Sequence, residues 1–159
     1  MYILILEGSI TQIRSFVTEA FVKKGTGKAF EELVGIMERL RAPKDGCPWD
    51  LKQTHKSLLK YMYEEADEVA RAVRRRDWEN FEEELGDLLL QIVFQAEMAR
   101  QGKRFDIKSV IEGISKKMVR RHPHIFGKKK CKTPGQVLKQ WAEIKAAEKA
   151  GKKKNKKRA

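Results

Sequence analysis

An all-α fold, a bundle of about four to five helices, is predicted by three observations. Apolar residues recur at helical spacing along most of the chain, candidate caps and breakers fall between those stretches, and no segment reads as a convincing central strand. Phe30, Leu33, Val34, Met37 and Leu40 give the first helix, near Lys28 to Arg41, and APKDGCPWD then breaks it with Pro43, Gly46 and Pro48. A second helix is expected from about Thr54 to Arg76, with Leu58, Leu59, Met62, Ala66, Val69 and Val73 on its apolar side. Asp77 can cap a third, Trp78 to Gln101, ended by Gly102. Asp106 can cap a fourth, carrying Ile107, Val110, Ile111, Ile114 and Met118 and stopping near Pro123. Thr133 with Pro134 at the first helical position starts a fifth, expected to end near Ala150 and Gly151.

The length of 159 residues suits one domain with a real core. Residues 1–27 open with the β-prone MYILIL, end in KKGTGK and read as an appendage; 28–150 form the domain. Residues 151–159 (GKKKNKKRA) read as a basic, disordered tail. That tail holds six of the positive charges and no acid, which leaves +7 of the net +13 on residues 1–150. A lysine run without interleaved aromatics is more often a solvated tail than a nucleic-acid arm, so a nucleic-acid partner is not favoured. No run of about eighteen apolar residues exists to span a membrane, and MYILIL is too short for a secretory signal, so a cytoplasmic protein is expected. Cys47 and Cys131 have no metal-site or C-x-x-C spacing and read as free thiols.

Chemistry enters with the carboxylates. Glu65 and Glu68 lie three apart in the second helix, and Glu84 and Asp87 lie three apart in the third. Residues at i and i+3 share a helix face, and the short connection at Asp77 makes the two helices antiparallel neighbours, which brings the pairs together. Asp87 sits in LGDLLLQIVF, apolar on nearly every face, so its helix is expected to be buried on most sides. A buried carboxylate is costly without a cation or a hydrogen-bond network. Hard oxygen ligands suit Mg²⁺, with Mn²⁺ as a substitute, better than Zn²⁺.

Basic residues could complete such a site. Lys116, Lys117, Arg120 and Arg121 at the end of the fourth helix suit a polyphosphate, or equally the cap of a helix C-terminus. Lys56, Lys60 and Arg71 read as phosphate contacts or as solvated partners of nearby Glu, His122 and His124 as surface or packing residues, and Trp49 and Trp141 as packing residues that could stack on a base. No nucleophile with its base and no Gly-rich phosphate loop is present, which leaves water as the nucleophile.

Six segments in order resemble one family. IMERLRAPKDGCPWDLKQTH (Ile36 to His55), EEADE (Glu64 to Glu68), ELGDLLLQIVF (Glu84 to Phe94), GKRFD (Gly102 to Asp106), KKMVRRHPHIFG (Lys116 to Gly127) and WAEIK (Trp141 to Lys145) are similar to the MazG nucleoside triphosphate pyrophosphohydrolases, all-α proteins related to the dimeric dUTPases. The resemblance implies Mg²⁺-dependent hydrolysis of a nucleoside triphosphate to the monophosphate and pyrophosphate. It implies Glu65, Glu68, Glu84 and Asp87 as metal ligands and Glu64 as a further ligand or water-orienting base. Lys60, Lys117, Arg120, Arg121, Trp141 and Lys145 are the substrate contacts expected, and a homodimer or higher homo-oligomer the assembly. Many bacterial members carry two such domains in tandem; this chain has one copy, similar to the N-terminal one. The competing reading is a catalytically weak oligomeric module that binds nucleotides, RNA or a protein.

Overall fold

The computed structural model describes residues 25–156, with side chains through Gly151. The expected appendage therefore lies outside the described residues up to position 24, as do residues 157–159 of the tail. Six helices and no strand are present among the described residues: α1 (Thr26–Leu40), α2 (Pro48–Lys52), α3 (Leu59–Arg75), α4 (Trp78–Gln101), α5 (Ile107–Arg121) and α6 (Pro134–Lys156). None of them is long and apolar enough to cross a membrane. Two compact units divide between Val110 and Ile111, within α5.

The first unit is built on the α3/α4 hairpin. Its two-residue connection works because Arg76 takes a left-handed conformation (φ 56°) and Asp77 caps α4, accepting a hydrogen bond from the Asn80 amide at 3.2 Å. Helix α1 packs on α4, and Met37, Leu58, Val93, Phe94 and Met98 form the core. The segment expected only to break α1 does more. Pro48 stands at the first position of the short helix α2, where its missing N–H is no loss. Before it, the Gly46 amide donates to the Ala42 carbonyl at 2.9 Å and the Cys47 amide to the Leu40 carbonyl at 2.7 Å. A Cβ on Gly46 would lie 2.6 Å from the Ala42 carbonyl oxygen and closer still to that of Leu40, so the turn admits only glycine.

This turn carries Arg41 into the interior. Its Nε donates to Gln101 Oε1 at 3.0 Å, its Nη1 to the Asp50 carbonyl, and its guanidinium lies 5.4 Å from the Phe94 ring centroid, while Gln101 Nε2 donates back to the Arg41 carbonyl at 3.0 Å. The ends of α1, α2 and α4 are thereby tied together. Desolvation lowers the pKa of Arg41, against the raising effect of the Glu97 and Asp50 charges. Trp49 meets Tyr61 and Phe94 edge to face, at 5.8 and 6.5 Å, so it is a packing residue.

Two expectations about burial are corrected. Helix α4 is buried only in its C-terminal half, from Gln91 through Ala99; Leu85, Leu89 and Ile92 are 44%, 37% and 39% exposed. On α3, Leu58 just before the helix is buried, but Leu59, Ala66 and Val73 are exposed. The apolar run around Asp87 is therefore longer than the core of this chain requires.

In the second unit α5 ends at Arg121, and a hydrogen-bonded loop leads to α6, where the Thr133 hydroxyl accepts from the Gln136 amide at 3.3 Å. Helix α6 continues past the expected stop at Ala150 and Gly151 to Lys156. Lysine is a good helix former, and one interior glycine costs only about 1 kcal/mol. Cys47 and Cys131 are free thiols.

Candidate metal centre

Glu65 on α3 and Glu84 and Asp87 on α4 bring one carboxylate oxygen each within 4.8 Å of one another. All three residues are half-buried. Three of the four carboxylates expected from spacing are thus brought together, because facing positions of an antiparallel hairpin collect side chains of both helices.

Crowding leaves an electrostatic signature. Burial first, then the charges of Asp87, Glu68, Glu84 and Glu64, raise the pKa of Glu65. Burial also leads for Glu84, followed by the charges of Glu68, Asp87 and Glu83 and a hydrogen bond with Glu68. Each of these causes would be offset by a cation among the oxygens. The donor set consists of hard oxygens, which fits a divalent ion of the Mg²⁺, Mn²⁺ or Ca²⁺ kind.

Glu68 stands at the edge of this group. Arg71 Nη2 donates to its Oε1 at 2.7 Å, while Nη1 of the same arginine pairs with Asp67. Glu68 is thus shared between Glu84 and Arg71. The i+3 spacing of Glu68 and Arg71 is a signal the sequence offered. Glu64 is exposed on α3 and outside the cluster of three, acting on it through its charge on Glu65. Lys60 is exposed, its Nζ 4.4 Å from the Tyr61 ring centroid.

The other expected contacts belong to the second unit. Arg120 and Arg121 both pair with Glu148, a partner that sequence reading missed. Arg120 Nη2 and Arg121 Nη2 each lie 2.7 Å from one of its oxygens, and the Nε of Arg120 donates to Oε1 at 2.7 Å as well. The two guanidiniums hold the Glu148 carboxyl down at about 2. Trp141 meets the His122 ring edge to face at 5.0 Å and the Lys145 ammonium at 5.6 Å, and its buried indole N–H has no hydrogen-bond partner. Lys117 is half-buried on α5.

Residues 53–126, which contain every carboxylate of the cluster, match the MazG nucleotide pyrophosphohydrolase domain. The solved structure of a mazG-related protein from Thermotoga maritima superposes with a TM-score of 0.62 and 34% identity, over 73% of this chain and 98% of that one. This chain belongs to the MazG family. Longer relatives include the nucleoside triphosphate pyrophosphohydrolase/pyrophosphatase MazG of Thermotoga maritima, 50% identical over 130 residues, 82% of this chain and 49% of that protein. The nucleoside triphosphate pyrophosphohydrolase of Escherichia coli K12 is 44% identical over 122 residues, 77% of this chain and 46% of that protein. This MazG chain spans about half the length of those two relatives.

Proposed function

We propose that the protein is a Mg²⁺-dependent nucleoside triphosphate pyrophosphohydrolase, releasing the monophosphate and pyrophosphate, with Mn²⁺ as a substitute metal. The observation that carries this reading is the convergence of Glu65, Glu84 and Asp87 within 4.8 Å, in a chain of this family. A binding module gains nothing from three half-buried carboxylates crowded enough to raise the pKa of Glu65 and of Glu84.

The bound cation would polarise phosphate oxygens and lower the pKa of the attacking water. Glu65, Glu84 and Asp87 would hold it, and Glu68, beside Glu84 and paired with Arg71, would be the fourth ligand. Glu64, exposed beside Glu65, orients the water and accepts its proton. Lys117, Arg120 and Arg121 offset the charge of the leaving pyrophosphate. Glu148 occupies only part of the donor set of its two arginines, since each guanidinium has five N–H groups. Trp141 and Lys145 contact the nucleoside side of the substrate, and Lys60 adds a mobile charge.

A homodimer, or a higher homo-oligomer, belongs to the same reading. Tyr63, Trp78, Leu85, Leu89 and Ile92 are exposed on the carboxylate hairpin, and a second copy would cover this apolar surface.

The deciding experiment is product analysis by ion chromatography after incubation with a panel of nucleoside triphosphates, with Mg²⁺ and with EDTA. Monophosphate and pyrophosphate in equal amounts, formed only with Mg²⁺, establish the reaction. No turnover of any triphosphate overturns it in favour of a binding module.

A further inference from the structure

The charge of this protein is divided between its two units. Residues 1–110 hold 18 Lys and Arg against 19 Asp and Glu, a net charge of −1; residues 111–159 hold 17 against 3, a net of +14. Two of the three acids in the second unit are already paired, Glu112 with Lys116 and Glu148 with both arginines.

Much of this charge is displayed by an ordered loop. Lys128, Lys129, Lys130 and Lys132 are all exposed, and none is in an ion pair among the described residues. The loop is closed by the Lys129 amide donating to the Pro123 carbonyl at 3.2 Å and the Lys132 amide donating to Gln136 Oε1 at 2.7 Å. Gln140, 6% exposed, stands 2.9 Å from His124 Nδ1 and accepts from Cys131 Sγ at 3.5 Å, which fixes the loop to α6 from both sides. Gly127 passes so near Pro123 that a Cβ would lie 2.9 Å from the Pro123 carbonyl oxygen. The lysines therefore occupy a built turn, and the lysine-bearing α6 carries Lys139 and Lys149, also exposed, from the same unit.

Four unpaired ammonium groups on a held loop suit a polyanion with regularly spaced charges. An anionic membrane would also need an apolar helix face to embed, and among its described residues α6 exposes a single large apolar side chain, Leu138. An aromatic ring beside the lysines favours nucleic acid instead. Phe126, two residues before Lys128, is 39% exposed, and an aromatic ring face can stack on an unpaired base. We propose that the loop from Phe126 to Lys132 is a docking surface for single-stranded nucleic acid, lysines on the phosphates and the Phe126 ring against a base, without sequence preference.

Fluorescence anisotropy with a labelled single-stranded RNA, the full chain and a salt series tests this. In the variant with Lys128, Lys129, Lys130 and Lys132 all changed to Gln, affinity near 0.1 M salt should fall at least about tenfold. The slope of log affinity against log salt should shrink by roughly 0.7 for each phosphate no longer neutralised, about 2 or more in all. Phe126→Ala should weaken binding about fivefold or more with the slope unchanged. Triphosphate turnover should stay at its original level in the lysine variant, so the test stands whatever the enzyme assay shows. Unchanged affinity and slope in that variant would overturn the proposal, placing any binding elsewhere on the chain. So would equal loss of binding to anionic vesicles alone, or a raised KM for triphosphate with RNA binding intact, since the loop would then serve a membrane or the substrate.

Discussion

Glu97 and Asp87 stand ten residues apart on α4 and meet opposite surroundings. The Glu97 side chain is 4% exposed, yet it is satisfied, with Arg100 Nε and Nη2 on its two oxygens at 2.6 and 2.8 Å and Glu38 sharing the same arginine at 3.5 Å. Asp87 is less buried and faces Glu65 and Glu84 instead of a cation. Burial alone therefore does not mark a functional carboxylate. The more deeply buried acid has its counter-charge within the chain, while the half-buried group has three acids and no cation among them.

The largest test of this contrast is Asp87→Asn, which keeps the volume and removes the charge. Turnover should fall by more than the roughly 10- to 100-fold lost with a residue that only supports a ligand. In the parent, Mg²⁺ at about 100 times its Kd should add about 2.7 kcal/mol to the unfolding free energy, and the variant should lose most of that gain. Thermal melts with and without Mg²⁺ read this independently of turnover; an undiminished gain would remove Asp87 from the site. Glu97→Gln should do the reverse, costing about 1.5–3 kcal/mol in denaturant unfolding by weakening charged hydrogen bonds, with turnover per folded molecule unchanged.

Glu148 sharpens the comparison through pH, because its two arginines depress its pKa where the neighbours of Glu65 raise that of Glu65. A folded pKa of about 2, below the ordinary 4.5, means that the pairing contributes fully above about pH 4.5 and is lost as pH falls toward 2. Glu148→Gln should therefore melt below the parent at neutral pH, and the gap should close between pH 4.5 and 2. A gap of constant size down to pH 2 would show that packing, not charge, is at stake. The sign is opposite for Glu65: its raised pKa means that metal-free stability falls as pH rises through its titration, so Glu65→Gln should melt higher than the parent without metal at neutral pH. The smallest effect is expected at the hairpin tip, where Arg76→Gly should add about 0.5–1 kcal/mol by removing a side chain from a left-handed residue.

Much of this was legible beforehand where the signal is local. Asp77, Asp106 and Pro134 mark helix starts through groups at fixed offsets, and three-residue spacing puts Glu84 and Asp87 on one face. The short helix α2 was hidden because Pro48 reads as a breaker until it is seen at a first helical position. Partners distant in sequence could not be read at all: Glu148 lies 27 and 28 residues beyond its arginines, and Arg41 meets Gln101 across 60. The exposure of Leu85, Leu89 and Ile92 has a different cause, since an apolar helical pattern does not say which of its positions the core of the chain will cover.

The Gly46 turn has a mechanical consequence. By sending Arg41 across to Gln101 it pins the far end of α4, while the end that carries Glu84 and Asp87 is held chiefly by its partner α3, so the hairpin resembles a beam clamped at one end. Amide hydrogen exchange should be slowest near Ala96 to Ala99 and quicken toward Glu84. Stiffness at the clamp would then set how closely the carboxylates are held in register before any cation draws them together.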